Sequence, residues 1–296
     1  MKTSLGLGSA QFGSSYGITN MQGITDIDQV RRILDIARDR KVEWIDTARG
    51  YGNAEEVLGK ALPKDSEIKI VSKIRPCILD AQAFDSVISE LELRESLRLL
   101  QRDRLDGLLM HDAAVFAGER GRDVRMWLAK IRDKGLVQKI GVSIYQDSDL
   151  AGIESEFLDI VQVPMSLYDQ RALHSERILD AKSSGSDIHV RSVYLQGLLL
   201  ANHNQWPSWM PSHIIDRHQK LEECCGKNNI SLADAALAFV KAVDFADVAF
   251  IGVCSGPQMI ELTDAWEKKA ESCLGDYRQW AIDDEGVLDP RKWPQR

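Results

Sequence analysis

The sequence has no long run of consecutive apolar residues, no run of basic residues, no Cys-x-x-Cys pair, no internal repeat and no low-complexity tract. Each absence removes a class. A membrane-spanning helix needs about 18 or more apolar residues in a row, so no membrane role is read here. The first eight residues, Met1 to Gly8, lack the charged start and apolar stretch of a secretory signal. With a formal net charge of -8 and no basic stripe, the chain carries no electrostatic footprint for nucleic acid. The five cysteines, Cys77, Cys224, Cys225, Cys254 and Cys273, are odd in number, and no histidine cluster stands beside them. They make neither a disulfide framework nor a metal site, and the expected state is reduced thiols in the cytoplasm. No linker divides the chain, so residues 1–296 read as one domain with a tail from about residue 269.

What is present is an alternation. Short apolar, β-branched runs at 3–7, 43–46, 68–74, 107–111, 139–143, 160–164, 188–194 and 248–253 are separated by longer stretches of helical period. That is the pattern of βαβ units and a parallel sheet buried on both faces. Helices are expected at 26–40, 54–61, 83–100, 124–134, 148–155, 176–184, 231–243 and 256–268. In the third, Phe84, Val87, Ile88 and Leu91 form one stripe and Leu93, Leu97 and Leu100 another, on different faces. Extra chain at 201–228 separates the seventh and eighth strands, and its 206–211 stretch reads as a loop across the barrel mouth. Eight such units give an α/β fold, a (β/α)8 TIM barrel.

In a parallel barrel, chemistry is built where the strands end. The strand ends present Asp46, Lys73, His111, Ser143, Gln162 and Arg191. Each has an ordinary explanation when taken alone: Asp46 caps a turn, Lys73 snorkels to the rim, and His111 is a satisfied core histidine. Taken together at one end of successive strands they indicate a site, because buried unpaired charge is costly. Reduction of a carbonyl needs a proton for oxygen, and a tyrosine is a sluggish acid at neutral pH. Tyr51, in the loop after Asp46, is the candidate acid. The Lys73 ammonium is expected to lower its pKa, Asp46 to hold Lys73, and His111 to orient the substrate oxygen.

The segment Asp46-Thr47-Ala48-Arg49-Gly50-Tyr51-Gly52-Asn53-Ala54-Glu55 closely resembles the aldo-keto reductase signature D-T-A-x-x-Y-G-x-x-E. Supporting blocks follow in the same order: Val71-Ser72-Lys73, Asp106 to His111, Ile140-Gly141-Val142-Ser143 and Val161-Gln162-Val163. The resemblance implies an NAD(P)H-dependent oxidoreductase that reduces an aldehyde or ketone, with Asp46, Tyr51, Lys73 and His111 as catalytic residues. By the same resemblance Ser143 and Gln162 hold the nicotinamide carboxamide. Gly8 lies near the cofactor, Ser192 and Gly197 belong to a loop over its pyrophosphate, and Gly252, Ser255, Gln258 and Glu261 surround its adenosine phosphate. No metal is implied.

Departures from the family pattern carry information as well. Ile144 follows Ser143 where the family usually has asparagine, and Ala10 replaces a tryptophan of the first loop. Arg191 occupies the register of a tyrosine that stacks on the nicotinamide ring, which brings a charge to that place. Gly252 and Gln258 stand where members that prefer NADPH commonly have Lys and Arg, so NADPH is the expected cofactor with NADH as the alternative. Two other functional readings use the same strand ends: an aldolase-type barrel with a Schiff base on Lys73, and a cofactor-sensing binding protein with little turnover.

Overall fold

The computed structural model describes residues 3–76, 78–79, 83–117, 121–268 and 274–294. Cys77, Cys273 and the start of the expected tail lie outside them. The eight strands are β1 (Ser4–Gly8), β2 (Trp44–Asp46), β3 (Lys69–Ile74), β4 (Leu105–Met110), β5 (Val137–Ser143), β6 (Ile160–Pro164), β7 (Asp187–Arg191) and β8 (Val248–Gly252). They close into a barrel in the order β1-β8-β7-β6-β5-β4-β3-β2, with every neighbouring pair parallel. The sheet is therefore the expected (β/α)8 barrel, with strands seven and eight ending earlier than the sequence suggested. Residues 192–194 turn away at once, because Ser192 takes a left-handed backbone at φ 62°.

Strand alternation divides the core in two. Outward side chains such as Leu7, Ile45, Ile70, Val142, Val163 and Ile251 join the helices in one large apolar cluster. Val71, Leu109, Ile160, Val248 and Phe250 form a second cluster, with Trp44 against it. His189 of β7 is fully buried, with its ring edge-on to Trp44 and to Phe250. Neither of its ring nitrogens has a hydrogen-bond partner, and burial pulls its pKa down to about 3, so the ring is neutral.

The helices are α1 (Ile27–Asp39), α2 (Ala54–Ala61), α3 (Ser86–Leu100), α4 (Arg122–Asp133), α5 (Glu176–Ser183), α6 (Ser212–Lys227), α7 (Leu232–Lys241) and α8 (Gly256–Glu267). Asp26 caps α1 by accepting from the N–H groups of Asp28 and Gln29, and Asp85 caps α3 through Val87 and Ile88. That cap starts α3 at Ser86; Ala83–Phe84 instead pairs antiparallel with Ile78–Leu79. The two stripes of α3 now separate: Leu93, Leu97 and Leu100 are buried, while Val87 and Leu91 are 68% and 60% exposed.

Two expectations fail. The helix expected at 148–155 is absent, and the β5–β6 connection holds only the 3-10 turns Asp147–Leu150 and Ser155–Phe157. Asp149 accepts from the N–H groups of Tyr145 and Gln146, which folds this segment into a side-chain-capped turn rather than a helix. Conversely, α6 was hidden in the extra chain before residue 228. Its buried positions are Ile214, His218, Leu221 and Cys225, spaced correctly but not all aliphatic. Trp206 stacks on His218 with ring centroids 4.4 Å apart and donates to the carbonyl of Leu198 at 3.0 Å, so it belongs to the core. Among the described residues no helix is long and apolar enough to cross a membrane, and no group of three or more His, Cys, Asp or Glu is arranged to hold a metal ion.

Candidate active site

The β2–α2 loop carries the first two site residues. Asp46 ends β2, and the loop after it is tied to β3 by the Thr47 N–H on the Val71 carbonyl and the Arg49 N–H on the Lys73 carbonyl, both 2.9 Å. Tyr51 sits at the far side of this loop, where Gly52 takes φ 59°. The loop leans on the single helical turn Ala10–Gly13 so closely that a Cβ on Gly13 would lie 1.9 Å from the Tyr51 carbonyl oxygen, and one on Gly52 2.0 Å from the Gly13 carbonyl oxygen. Two glycines are therefore required for Tyr51 to be where it is. Behind the loop, Glu55 is buried and accepts from the Ser72 hydroxyl at 2.7 Å, which fixes the start of α2 to β3 beside Lys73.

Lys73 is fully buried at the centre of the site. Its Nζ donates to Asp46 Oδ1 at 2.5 Å and to the Thr47 carbonyl at 2.9 Å, and it stands over the face of the Tyr51 ring, 4.9 Å from the centroid. Burial draws its pKa below the ordinary lysine value while Asp46 pulls the other way. His111, one residue past β4, meets the Tyr51 ring edge-on at a centroid distance of 5.8 Å and lies beside Gly50. Burial, followed by the charges of Lys73, Arg191 and Arg75, lowers its pKa to about 3, so it is a neutral donor. The phenol of Tyr51 is raised well above its usual range, first by burial and then by Asp46. The downward pull expected from Lys73 does not prevail: its ammonium faces the ring and is matched by Asp46, and Arg191 is the neighbour that opposes the rise. At neutral pH Tyr51 is thus held protonated.

A directed chain of hydrogen bonds leads into this cluster from the strand ends beside it. Arg191 Nε donates to Ser143 Oγ at 3.2 Å, Ser143 Oγ donates to Gln162 Oε1 at 3.0 Å, and Gln162 Nε2 donates to Asp46 Oδ1 at 2.7 Å. Ser143 and Gln162 are register partners on β5 and β6. Each keeps unused capacity, a lone pair on Ser143 Oγ and both a lone pair and an N–H on Gln162, which suits a carboxamide. Arg191 also donates to the Ile144 carbonyl at 2.9 Å and to Ser192 Oγ at 3.1 Å.

Across the mouth, Gly8 is the register partner of both Asp46 and Gly252. A Cβ on Gly252 would lie 2.4 Å from Gln11 Oε1, so the Gln11 side chain lies against the end of β8 and leaves no space there for a residue larger than glycine. Ser255 caps α8 by accepting from the Gln258 N–H, and Gln258 Oε1 accepts from the Cys254 N–H at 2.7 Å. Glu261 is exposed one turn further on. Gly197, at φ 91°, abuts Thr19, and the Ile18 N–H donates to the Gln196 carbonyl at 2.9 Å. The loops after β1 and β7 therefore meet. All of the residues expected at the mouth are brought to this end of the barrel.

Three further residues share the mouth. Tyr16 is near enough to Tyr51 and Arg191 to feel their charges, and burial raises its phenol. Two guanidinium groups lie over the Tyr145 ring, with Arg191 Cζ 4.3 Å and Arg291 Cζ 3.5 Å from its centroid. Arg291 belongs to the C-terminal segment and forms a bidentate pair with Asp289. Tyr145 is only two residues past Ser143, which was a usable signal. Nothing in the local sequence brings Arg291 to it.

A model of the Aldo/keto reductase family matches residues 4–272. Among solved structures, the holo form of the aldo-keto reductase AKR11C1 from Bacillus halodurans is similar at a TM-score of 0.73 and 18% identity, covering 99% of this chain and 96% of that one. The glycerol dehydrogenase AKR11B4 from Gluconobacter oxydans is similar at a TM-score of 0.69 and 18% identity, covering 99% of this chain and 93% of that one. Comparison with curated proteins found no match. At these identities the structural likeness speaks to the fold.

Proposed function

This chain belongs to the aldo/keto reductase family, and from that premise we propose that it reduces an aldehyde or ketone, sugar-like in character, to the alcohol with NADPH or NADH. The observation that carries the reading is the convergence of a protonated Tyr51, the Asp46–Lys73 pair and neutral His111 at one mouth. The nicotinamide cofactor, when bound, supplies the hydride. The chain does the rest: the His111 N–H orients the carbonyl oxygen, and Tyr51 gives that oxygen its proton as negative charge gathers there. Lys73 then faces the forming phenolate across the ring, and Asp46 keeps the ammonium in position. A Schiff base on Lys73 is disfavoured, because its Nζ is fully buried and already held by two acceptors.

Ser143 and Gln162 would hold the carboxamide, and the cofactor would pass over the end of β8 at Gly252 towards α8 with the Gln11 side chain moved aside. The first turn of α8 has no Lys or Arg, but Arg32 of α1 comes close: its Cβ is 3.7 Å from where a Gly256 Cβ would stand, and it makes no ion pair among the described residues. A guanidinium carried on α1 beside the start of α8 would favour NADPH over NADH. The enzyme so described is cytoplasmic and acts on small molecules. Calorimetry and fluorescence titration with both cofactors, followed by a screen of carbonyl compounds that includes sugars, test the reading; no signal with either cofactor would remove it. In the same assay Tyr51→Phe is expected to lower turnover by roughly 10²- to 10⁴-fold with cofactor affinity kept.

A further inference from the structure

Among the described residues Arg191 is a cation without a counter-ion. At this mouth Asp46 is matched by Lys73 and Arg291 by Asp289, and exposed Arg75 lies towards His111. Arg191 forms no ion pair among the described residues; its partners are the neutral oxygens of Ser143, Ile144 and Ser192 and the face of Tyr145. These contacts come from β5, its following loop and the residue beside Arg191, so the guanidinium is fixed before any ligand arrives. It is held 3.2 Å from the hydroxyl of Ser143, the same group that would receive the carboxamide.

The two oxidation states of a nicotinamide cofactor differ in the charge on the ring, neutral when reduced and cationic when oxidised. Building on the oxidoreductase reading above, we propose that Arg191 makes this site discriminate between them, binding the reduced cofactor more tightly than the oxidised one. A fixed positive charge within several ångströms of a cationic ring, in partly buried surroundings, opposes its binding by on the order of tenfold or more. The neutral ring loses nothing and can still pack on the planar guanidinium. The discrimination concerns exchange of cofactor, favouring entry of the reduced form and release of the oxidised one. It does not assist the hydride step, which the same charge opposes.

The test is a set of dissociation constants for the reduced and oxidised forms of whichever cofactor binds, measured by calorimetry on the wild type, Arg191→Gln and Arg191→Lys. Gln keeps a donor near Ser143 and loses the charge; Lys keeps the charge. The wild type is expected to bind the reduced form more tightly. In Arg191→Gln the ratio of the two constants should shrink about tenfold, mainly through tighter binding of the oxidised form, and Arg191→Lys should retain most of the ratio. An unchanged ratio in Arg191→Gln, or an equal loss for both forms as expected of a pyrophosphate contact, would overturn this proposal alone. A wild type that binds neither form would overturn the oxidoreductase reading as well.

Discussion

At the scale of single residues, the site is a set of charges whose balance is visible. Burial and then the Asp46 carboxylate raise the phenol of Tyr51, so it enters the reaction with its proton in place. Arg32 is the residue that the sequence did not single out. Of the arginines at 31, 32, 38 and 40, three are paired with acids, Arg31 with Asp28, Arg38 with Asp35 and Arg40 with Asp264, and Arg32 is left beside the start of α8. Replacing it by Ala should weaken NADPH on the order of tenfold and leave NADH unaffected, since a charge-assisted contact to a phosphate contributes roughly 1.5 to 3 kcal/mol. Competition titration with the two cofactors measures this, and equal effects on both would show that Arg32 plays no part in choosing between them.

At the scale of elements, the position of Tyr51 depends on the contact between the Ala10–Gly13 turn and the β2–α2 loop. A methyl group added at Gly13 would overlap the Tyr51 carbonyl and the Ala54 backbone, neither of which is a flexible side-chain end. Gly13→Ala should therefore lower kcat by at least tenfold, because small displacements of a catalytic group are expensive, while cofactor affinity changes little. Steady-state kinetics beside a cofactor titration would show the split; normal turnover would mean that the loop can shift without cost. The motif from Asp46 to Glu55 was legible because its chemistry is contiguous. The strands were legible because burial on both faces gives them continuous apolar runs. Helix α6 was not, since His218 and Cys225 occupy buried positions of its stripe and interrupt the aliphatic pattern. The missing helix at 148–155 failed for the opposite reason: its spacing suits a helix, but the Asp149 carboxylate satisfies backbone N–H groups in a turn. Arg32 comes beside the start of α8, and Arg291 over Tyr145, only through tertiary packing, which no local pattern reports.

At the scale of the whole molecule, histidines kept neutral by burial shape the response to acid: His111, His189 and His218 all have their pKa lowered, His111 and His189 the furthest. In His111 and His189 the folded values are about 3 against 6.5 for an ordinary imidazole. Between those values the unfolded chain takes up protons that the folded chain refuses, so the stabilising contribution is full above pH 6.5 and is lost as pH falls towards 3. The stability should decline by up to about 1.4 kcal/mol per pH unit for each histidine in that window. His189→Leu should flatten the decline, and because both ring nitrogens are unpartnered it should not destabilise the protein at pH 7. Urea unfolding at pH 7 and pH 5 on both proteins is the check, and parallel losses in the two would rule out a share for His189.

Tyr145 joins the C-terminal segment to the barrel mouth, since the guanidinium groups of Arg291 and Arg191 both lie over its ring. This has a practical side for anyone preparing the protein. A tag fused close behind Arg291 would place bulk or charge beside that guanidinium and draw it from the aromatic ring it backs. Constants measured on such material would describe a loosened mouth. A tag placed ahead of Met1 enters beside β1, whose first residue Ser4 pairs with Val248 at the other end of the strands, and leaves the stack alone.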